Sequence, residues 1–130
     1  MKKLPLFLFL FCLCAFPSMA QNKKVFSHVE KMPSFPGGVE AMYKFIYTNI
    51  KYPAKARMNR ISGQVTISFY VNEEGYLKDI SVIKGPGSGL DEEAMRVVEL
   101  MNEDHRWNPG MHDGKKVPVA YTLPIKFVIQ

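Results

Sequence analysis

The stretch that most constrains this chain is its last, residues 116–130, where Val119, Tyr121, Leu123, Ile125, Phe127 and Ile129 set a large apolar side chain at every second position. A period of two marks a strand with one face buried, so the rest of the chain must supply a layer to cover that face. The same stretch contains Pro124. A proline has no N–H to give to a ladder and is tolerated at a sheet edge far better than in the middle. The chain is therefore expected to end on an edge strand. Such an edge leaves a row of backbone donors and acceptors free, which a protein either guards or uses to bind an extended segment. Alternate residues of a strand turn their backbone groups to the same side, so Pro124 belongs with Ala120, Thr122, Lys126 and Val128. If the proline nitrogen faces the open edge, Thr122 and Lys126 offer free groups to a visiting strand. The proline then interrupts the row once, limiting indiscriminate pairing while leaving docking possible.

At the other end, Met1-Lys2-Lys3 is a basic start, residues 4–16 are an apolar run, and Ser18-Met19-Ala20 puts small residues where a signal peptidase requires them. Residues 1–20 read as a cleaved secretory signal peptide. The competing reading is a retained membrane anchor, which needs about 17 or more apolar residues; this run is shorter and contains Pro5. A lipoprotein signal fits poorly, because Phe11 precedes Cys12 and Leu13 precedes Cys14 where a small residue is needed. Removing residues 1–20 of 130 leaves 110, enough for one small domain with a single core. Both cysteines leave with the signal, so the mature chain has neither thiol nor disulfide and depends on packing. The formal charge falls from +5 to +3 without Lys2 and Lys3, and the remaining basic residues are dispersed. Together with the secretory address, this argues against a nucleic-acid partner.

Residues 21–34 are polar for the most part and read as a flexible N-terminal segment, followed by one domain over residues 35–130. Phe35-Pro36-Gly37-Gly38 signals a turn before a helix over residues 39–49, in which Val39, Met42, Tyr43 and Ile46, with Ile50 just beyond, share one face. Tyr52-Pro53 ends it, and Pro53 can open a further helical turn through Ala54, Ala56 and Met58. Residues 63–71 alternate, with Val65, Ile67, Phe69 and Val71 on the buried side. Asn72-Glu73-Glu74-Gly75 suits a hairpin into a second strand over residues 76–84. From that strand Ile80 and Val82 point inward while Leu77, Asp79, Ser81 and Ile83 point away. Asp91 is the expected N-cap of a helix over residues 92–101, with Leu90, Ala94, Val97, Val98 and Met101 on one stripe and Glu92 and Glu93 at its positive end. Residues 102–116 form a long polar link. Trp107 pins it to the core, and Asp113-Gly114-Lys115 turns it into the final strand.

Little in the chain carries catalytic chemistry. Gly85-Pro86-Gly87-Ser88-Gly89 lacks the Gly-Lys-Ser/Thr ending of a phosphate loop. His105 and His112, near Asp104 and Asp113, are the most metal-like group, but their spacing fits no compact ligand motif, and no metal or cofactor is expected. His28 stands alone. The mature chain has no cysteine nucleophile, and no serine sits on a glycine-flanked strand-to-helix turn. A binding domain is the expected class. A hydrolase or metal enzyme using the His105 and His112 loop is a distant third reading.

The punctuating residues, taken in order, resemble the C-terminal domain of TonB, the energy-transducing protein of Gram-negative envelopes. They are Phe35-Pro36-Gly37-Gly38, Tyr52-Pro53-Ala54-Lys55-Ala56, Gly63-Gln64-Val65 through Phe69 and Val71 to Gly75, and Leu90-Asp91 with Ala94. Trp107-Asn108-Pro109-Gly110, Gly114-Lys115 and Leu123-Pro124-Ile125-Lys126-Phe127 complete the series. The resemblance runs from Phe35 to Ile129, and its opening is similar to a Bacteroidetes-type variant. It implies an α+β fold, a three-stranded antiparallel sheet with two helices on one face and the last strand at the edge. It also implies β-augmentation, in which that edge pairs with a short extended segment of an outer-membrane TonB-dependent transporter. Thr122, Pro124, Lys126 and Val128 are then the partner-binding row, and the family's contact near its tyrosine-proline element adds Tyr52 and Pro53. A force-transmitting member carries a transmembrane helix and a long proline-rich spacer. Here at most about 14 residues precede the domain, reaching about 50 Å when fully extended. The expected protein is therefore a periplasmic, non-enzymatic domain that binds extended segments of transporters or other envelope proteins. A homodimer through the edge is a further expectation. The runner-up is a short energy transducer anchored by an uncleaved N-terminal segment.

Overall fold

The structure, a computed structural model, describes residues 24–129. The signal peptide expected over residues 1–20 lies outside them. Among the described residues no helix is long and apolar enough to cross a membrane. The elements run α1 (Gly38–Asn49), α2 (Ala54–Met58), β1 (Gly63–Val71), β2 (Leu77–Lys84), α3 (Leu90–Asp104), β3 (Gly110–His112), β4 (Lys115–Val117) and β5 (Val119–Phe127). The main sheet is antiparallel with order β2-β1-β5, so β1 is central and the last strand is at an edge. From Gly63↔Phe127 to Val71↔Val119, β1 and β5 pair residue for residue with no slip. That register puts Val65, Ile67, Phe69 and Val71 beside Leu123, Ile125 and Phe127 on one face. Met42 and Ile46 of α1 and Leu90, Ala94, Val97, Val98 and Met101 of α3 close over it. A slip of one residue would turn this whole set to solvent.

The second strand departs from the expected alternation for a physical reason. Leu77, expected to point outward, is buried at 2% exposure, and it contributes to the same core as the half-buried Ile80 and Val82. Tyr70 pairs with Lys78, but Ser68 pairs with Ser81, so β2 carries an extra residue opposite β1. Asp79 lies there with φ 52, a left-handed conformation that a short polar residue tolerates. The bulge resets which side chains face inward. Asn102 of α3 anchors the strand's start: its amide oxygen accepts from Leu77 N–H at 2.8 Å and its NH₂ donates to Leu77 C=O at 3.1 Å.

Two local expectations are corrected. The N-cap of α3 is Gly89, with φ 85, and not Asp91. Asp91 sits inside the first turn and reaches back to accept from Gly87 N–H at 3.2 Å, which closes the loop on itself. The expected polar link holds a hairpin, β3–β4, closed by Asp113 and Gly114 at φ 51 and φ 73. Two consecutive positive φ values are what a tight type I′ hairpin turn demands. The N-terminal segment makes backbone bridges from Phe26 to Val119, Lys31 to Met111 and Ser34 to Asn108. Edge groups left free on those partners explain the pairing, because unsatisfied backbone is costly and a nearby strand relieves it.

Trp107 is the hub of the loop side of the domain. It is 2% exposed and meets Phe35, Phe69 and Tyr121 edge-on at centroid distances of 6.0, 5.5 and 5.0 Å. Its backbone N–H donates to Gly75 C=O at 3.0 Å. Gly75 has φ 87, and a Cβ there would lie 2.2 Å from the Trp107 carbonyl oxygen. Only glycine permits both the turn and this approach.

Candidate strand-edge binding groove

Because β1 takes the backbone groups of the odd-numbered residues of β5, the even-numbered ones turn outward. Three hydrogen bonds fix this direction. Ala120 N–H donates to Phe26 C=O at 2.8 Å, Tyr43 O–H donates to Pro124 C=O at 3.1 Å, and Lys126 N–H donates to the Tyr47 hydroxyl at 3.3 Å. The Pro124 nitrogen therefore faces the open edge, away from β1, where its missing N–H costs the sheet no bond.

The edge is covered in part by the molecule itself. At its start, Phe26 runs parallel to β5, giving its N–H to Pro118 C=O at 2.9 Å and accepting from Ala120. Further along, Tyr43 and Tyr47 of α1 stack with centroids 6.0 Å apart and place both hydroxyls on the row. Among the described residues nothing meets the outward N–H and C=O of Thr122, the C=O of Lys126 or the N–H of Val128. Val128 is itself 68% exposed.

A groove of three clefts that share lining residues follows this row. One cleft of about 400 Å³ lies between Tyr43, Tyr47, Pro124 and Lys126, and the next, of about 390 Å³, adds Ile50, Tyr52 and Val128. A third, of about 460 Å³, continues past Tyr52 to Arg57 and Ile129. Tyr52 forms part of the floor, with its ring edge-on to Phe127 at 5.8 Å and its hydroxyl donating to Ile61 C=O. Both charged lining residues, Arg57 and Lys126, are basic.

Of the six residues named from sequence, Pro124, Lys126, Val128 and Tyr52 line the groove, and Thr122 extends its backbone row. Pro53 does not line it. Its carbonyl accepts from Arg57 N–H at 3.0 Å to start α2, and its ring lies against Gly89. Tyr47 and Arg57 were missed. Helical periodicity places Tyr43 on the core-facing stripe only. The i, i+4 spacing of the two tyrosines on one helix was the available signal. His105 and His112 do not come together: His105 packs against the rings of Phe35 and Phe45, each at 4.9 Å.

Burial holds the Tyr43 hydroxyl above its usual pKa, with Tyr121 and Tyr47 adding to the effect, and burial does the same for Tyr121. Raised values mean that the folded state keeps these protons longer than the unfolded chain, in which tyrosine ionises near pH 10. Their contribution to stability is therefore intact below about pH 10 and is lost as pH rises through the raised values. Urea midpoints followed from about pH 8 upward should fall at the alkaline end. A Tyr43→Phe, Tyr121→Phe variant should fall less steeply, and equal slopes would refute the assignment.

The sequence of this chain matches the profile of the family described as Gram-negative bacterial TonB protein C-terminal over residues 48–129, more than half its length. It is 32% identical over 84 residues to Protein TonB of Pasteurella multocida (strain Pm70), covering 64% of this chain and 33% of that protein. The chain thus spans about a third of the length of this curated relative. Its fold is similar to the NMR solution structure of Helicobacter pylori TonB-CTD (residues 179-285), with TM-score 0.56, 22% identity, and 71% of this chain and 80% of that one covered. A second solution structure from the same organism, of residues 194-285, gives TM-score 0.50 at 22% identity, covering 68% and 90%. At such identities the structures speak for the fold, whereas the profile match speaks for descent. On that ground the chain belongs to the TonB C-terminal family.

Proposed function

We propose that this protein is a non-enzymatic binding domain of the periplasm. In this reading its β5 edge pairs with extended segments of outer-membrane TonB-dependent transporters or other envelope proteins. The observation that carries the reading is the row of backbone groups left without a partner among the described residues, both groups of Thr122, the C=O of Lys126 and the N–H of Val128, running beside a groove lined by aromatic and basic side chains. A visiting strand takes both backbone groups of Thr122 directly. At Pro124 C=O and Lys126 N–H it exchanges with the Tyr43 and Tyr47 hydroxyls, one hydrogen bond for another, a trade with small net cost. Arg57 and Lys126 favour an acidic residue in the visitor.

Synthetic peptides from the periplasm-facing segments of such transporters in the same organism provide the test. Binding should shift the amide resonances of Thr122, Lys126 and Val128, and N-methylation of alternate peptide amides should remove it. Equal binding by the methylated peptide would sink the edge-pairing reading, since that mode depends on backbone bonds. A homodimer through the same edge would appear as concentration-dependent mass in sedimentation and would compete with the peptide. N-terminal sequencing of the envelope form separates a released domain from an anchored short transducer, because a start at Gln21 removes the second.

A further inference from the structure

We infer that Glu30, His112 and Asp113 form a binding site for a divalent metal ion of the zinc type, which fastens the N-terminal segment to the β3–β4 hairpin. The antiparallel bridge between Lys31 and Met111 is held by Lys31 N–H to Met111 C=O at 3.1 Å and Met111 N–H to Lys31 C=O at 2.8 Å. That pairing sets Glu30 opposite His112, and Asp113 follows at the first position of the hairpin turn. One ligand atom from each of the three lies within 4.8 Å of the others. Ligand atoms around a tetrahedral zinc with bonds of about 2.0–2.1 Å sit about 3.3 Å apart. The exposed carboxylates of Glu30 and Asp113 need only small side-chain movements to reach that spacing.

The imidazole is held by packing on one side and turned toward Asp113 on the other. The Phe26 ring packs on the imidazole with centroids 5.3 Å apart, and Nδ1 is buried without a hydrogen-bond partner. Nε2 is the nitrogen turned toward Asp113, 3.7 Å from its Oδ2. The imidazole is a borderline donor that favours zinc, and zinc also accepts carboxylate oxygens, whereas calcium and magnesium favour all-oxygen sets. Water completes the coordination. The competing account is a contact between His112 and Asp113 with no metal affinity.

The site has a consequence for the groove, although it stands independently of the edge-pairing proposal. Phe26 both covers His112 and hydrogen-bonds Pro118 and Ala120 at the start of the β5 edge. A metal that fixes His112 and Glu30 therefore holds Phe26 against that edge.

Titration of zinc chloride into the full protein, purified without a polyhistidine tag, tests the inference. The expected result is saturable binding of one ion per chain, abolished by His112→Gln and weakened at least about tenfold by Glu30→Gln or Asp113→Asn. Zinc should also slow hydrogen exchange at Ala120 N–H in the wild type and leave it unchanged in Glu30→Gln. The two carboxylate variants are surface changes that keep the fold, so the test survives if His112→Gln fails to fold. No binding, or binding that the Glu30 and Asp113 variants leave intact, would overturn the site. Binding without slower exchange at Ala120 would overturn the link to the edge.

Discussion

Replacing Trp107 by alanine should lower the stability of the domain by about 3–5 kcal/mol, the range for deleting a large aromatic from a packed core. Small domains have only about 5–15 kcal/mol to lose, so the variant should be largely unfolded in modest urea. The indole is 2% exposed and touches Phe35, Phe69 and Tyr121, three rings from separate parts of the chain. Its Nε1 has no acceptor among the described residues, so its contribution comes from packing and not from a hydrogen bond. Trp107→Phe should recover much of the loss by refilling part of the space. The main-chain bond from residue 107 to Gly75 does not depend on the side chain and survives in both variants. A urea midpoint for Trp107→Ala within error of wild type would mean that the loop is held by its backbone alone.

Thr122→Pro should weaken peptide pairing at the edge at least about tenfold while leaving the fold intact, whereas Leu123→Pro should destabilise the fold itself. The Thr122 N–H points outward to the open row, so its removal takes a donor from the visitor alone. The loss of one hydrogen bond of about 0.5–1.5 kcal/mol, plus the steric block of the ring, predicts at least about tenfold weaker binding. Leu123 pairs with Ile67 inside the sheet, so proline there orphans a buried carbonyl on β1 and costs about 1–3 kcal/mol before any clash is counted. Proline at the neighbouring Pro124 position is already accommodated by the native strand, which supports tolerance at position 122. Binding is measured by titration with the transporter peptide and folding by thermal melts. Equal destabilisation by both substitutions would contradict the outward direction of the even-numbered row.

Much of the fold was legible because its central pair is written in strict alternation. Val65, Ile67, Phe69 and Val71 on β1 and Val119, Leu123, Ile125 and Phe127 on β5 are all buried as the period of two requires. Pro124 marked the edge, and Gly75 and Asp113-Gly114 marked turns. Reading failed where a single residue changes parity. Asp79 inserts a bulge that turns Leu77 inward, and nothing in the local composition distinguishes it from an ordinary polar strand residue. It failed again at the short β3–β4 hairpin, whose three-residue strands are too brief to show a period.

The groove divides along the same line. By itself the sequence determined that the last strand is an edge and that Thr122, Pro124, Lys126 and Val128 share one side of it, because both facts follow from periodicity and the chemistry of proline. Only the tertiary structure decided what reaches that side. Phe26 comes from almost a hundred residues upstream to hold Ala120, and Tyr43 and Tyr47 come from a helix on the covering layer to hold Pro124 and Lys126. Periodicity reports which way a side chain faces along its own segment. Which distant groups meet depends on how separate segments are placed against one another, and that placement is set by the packing of the whole core.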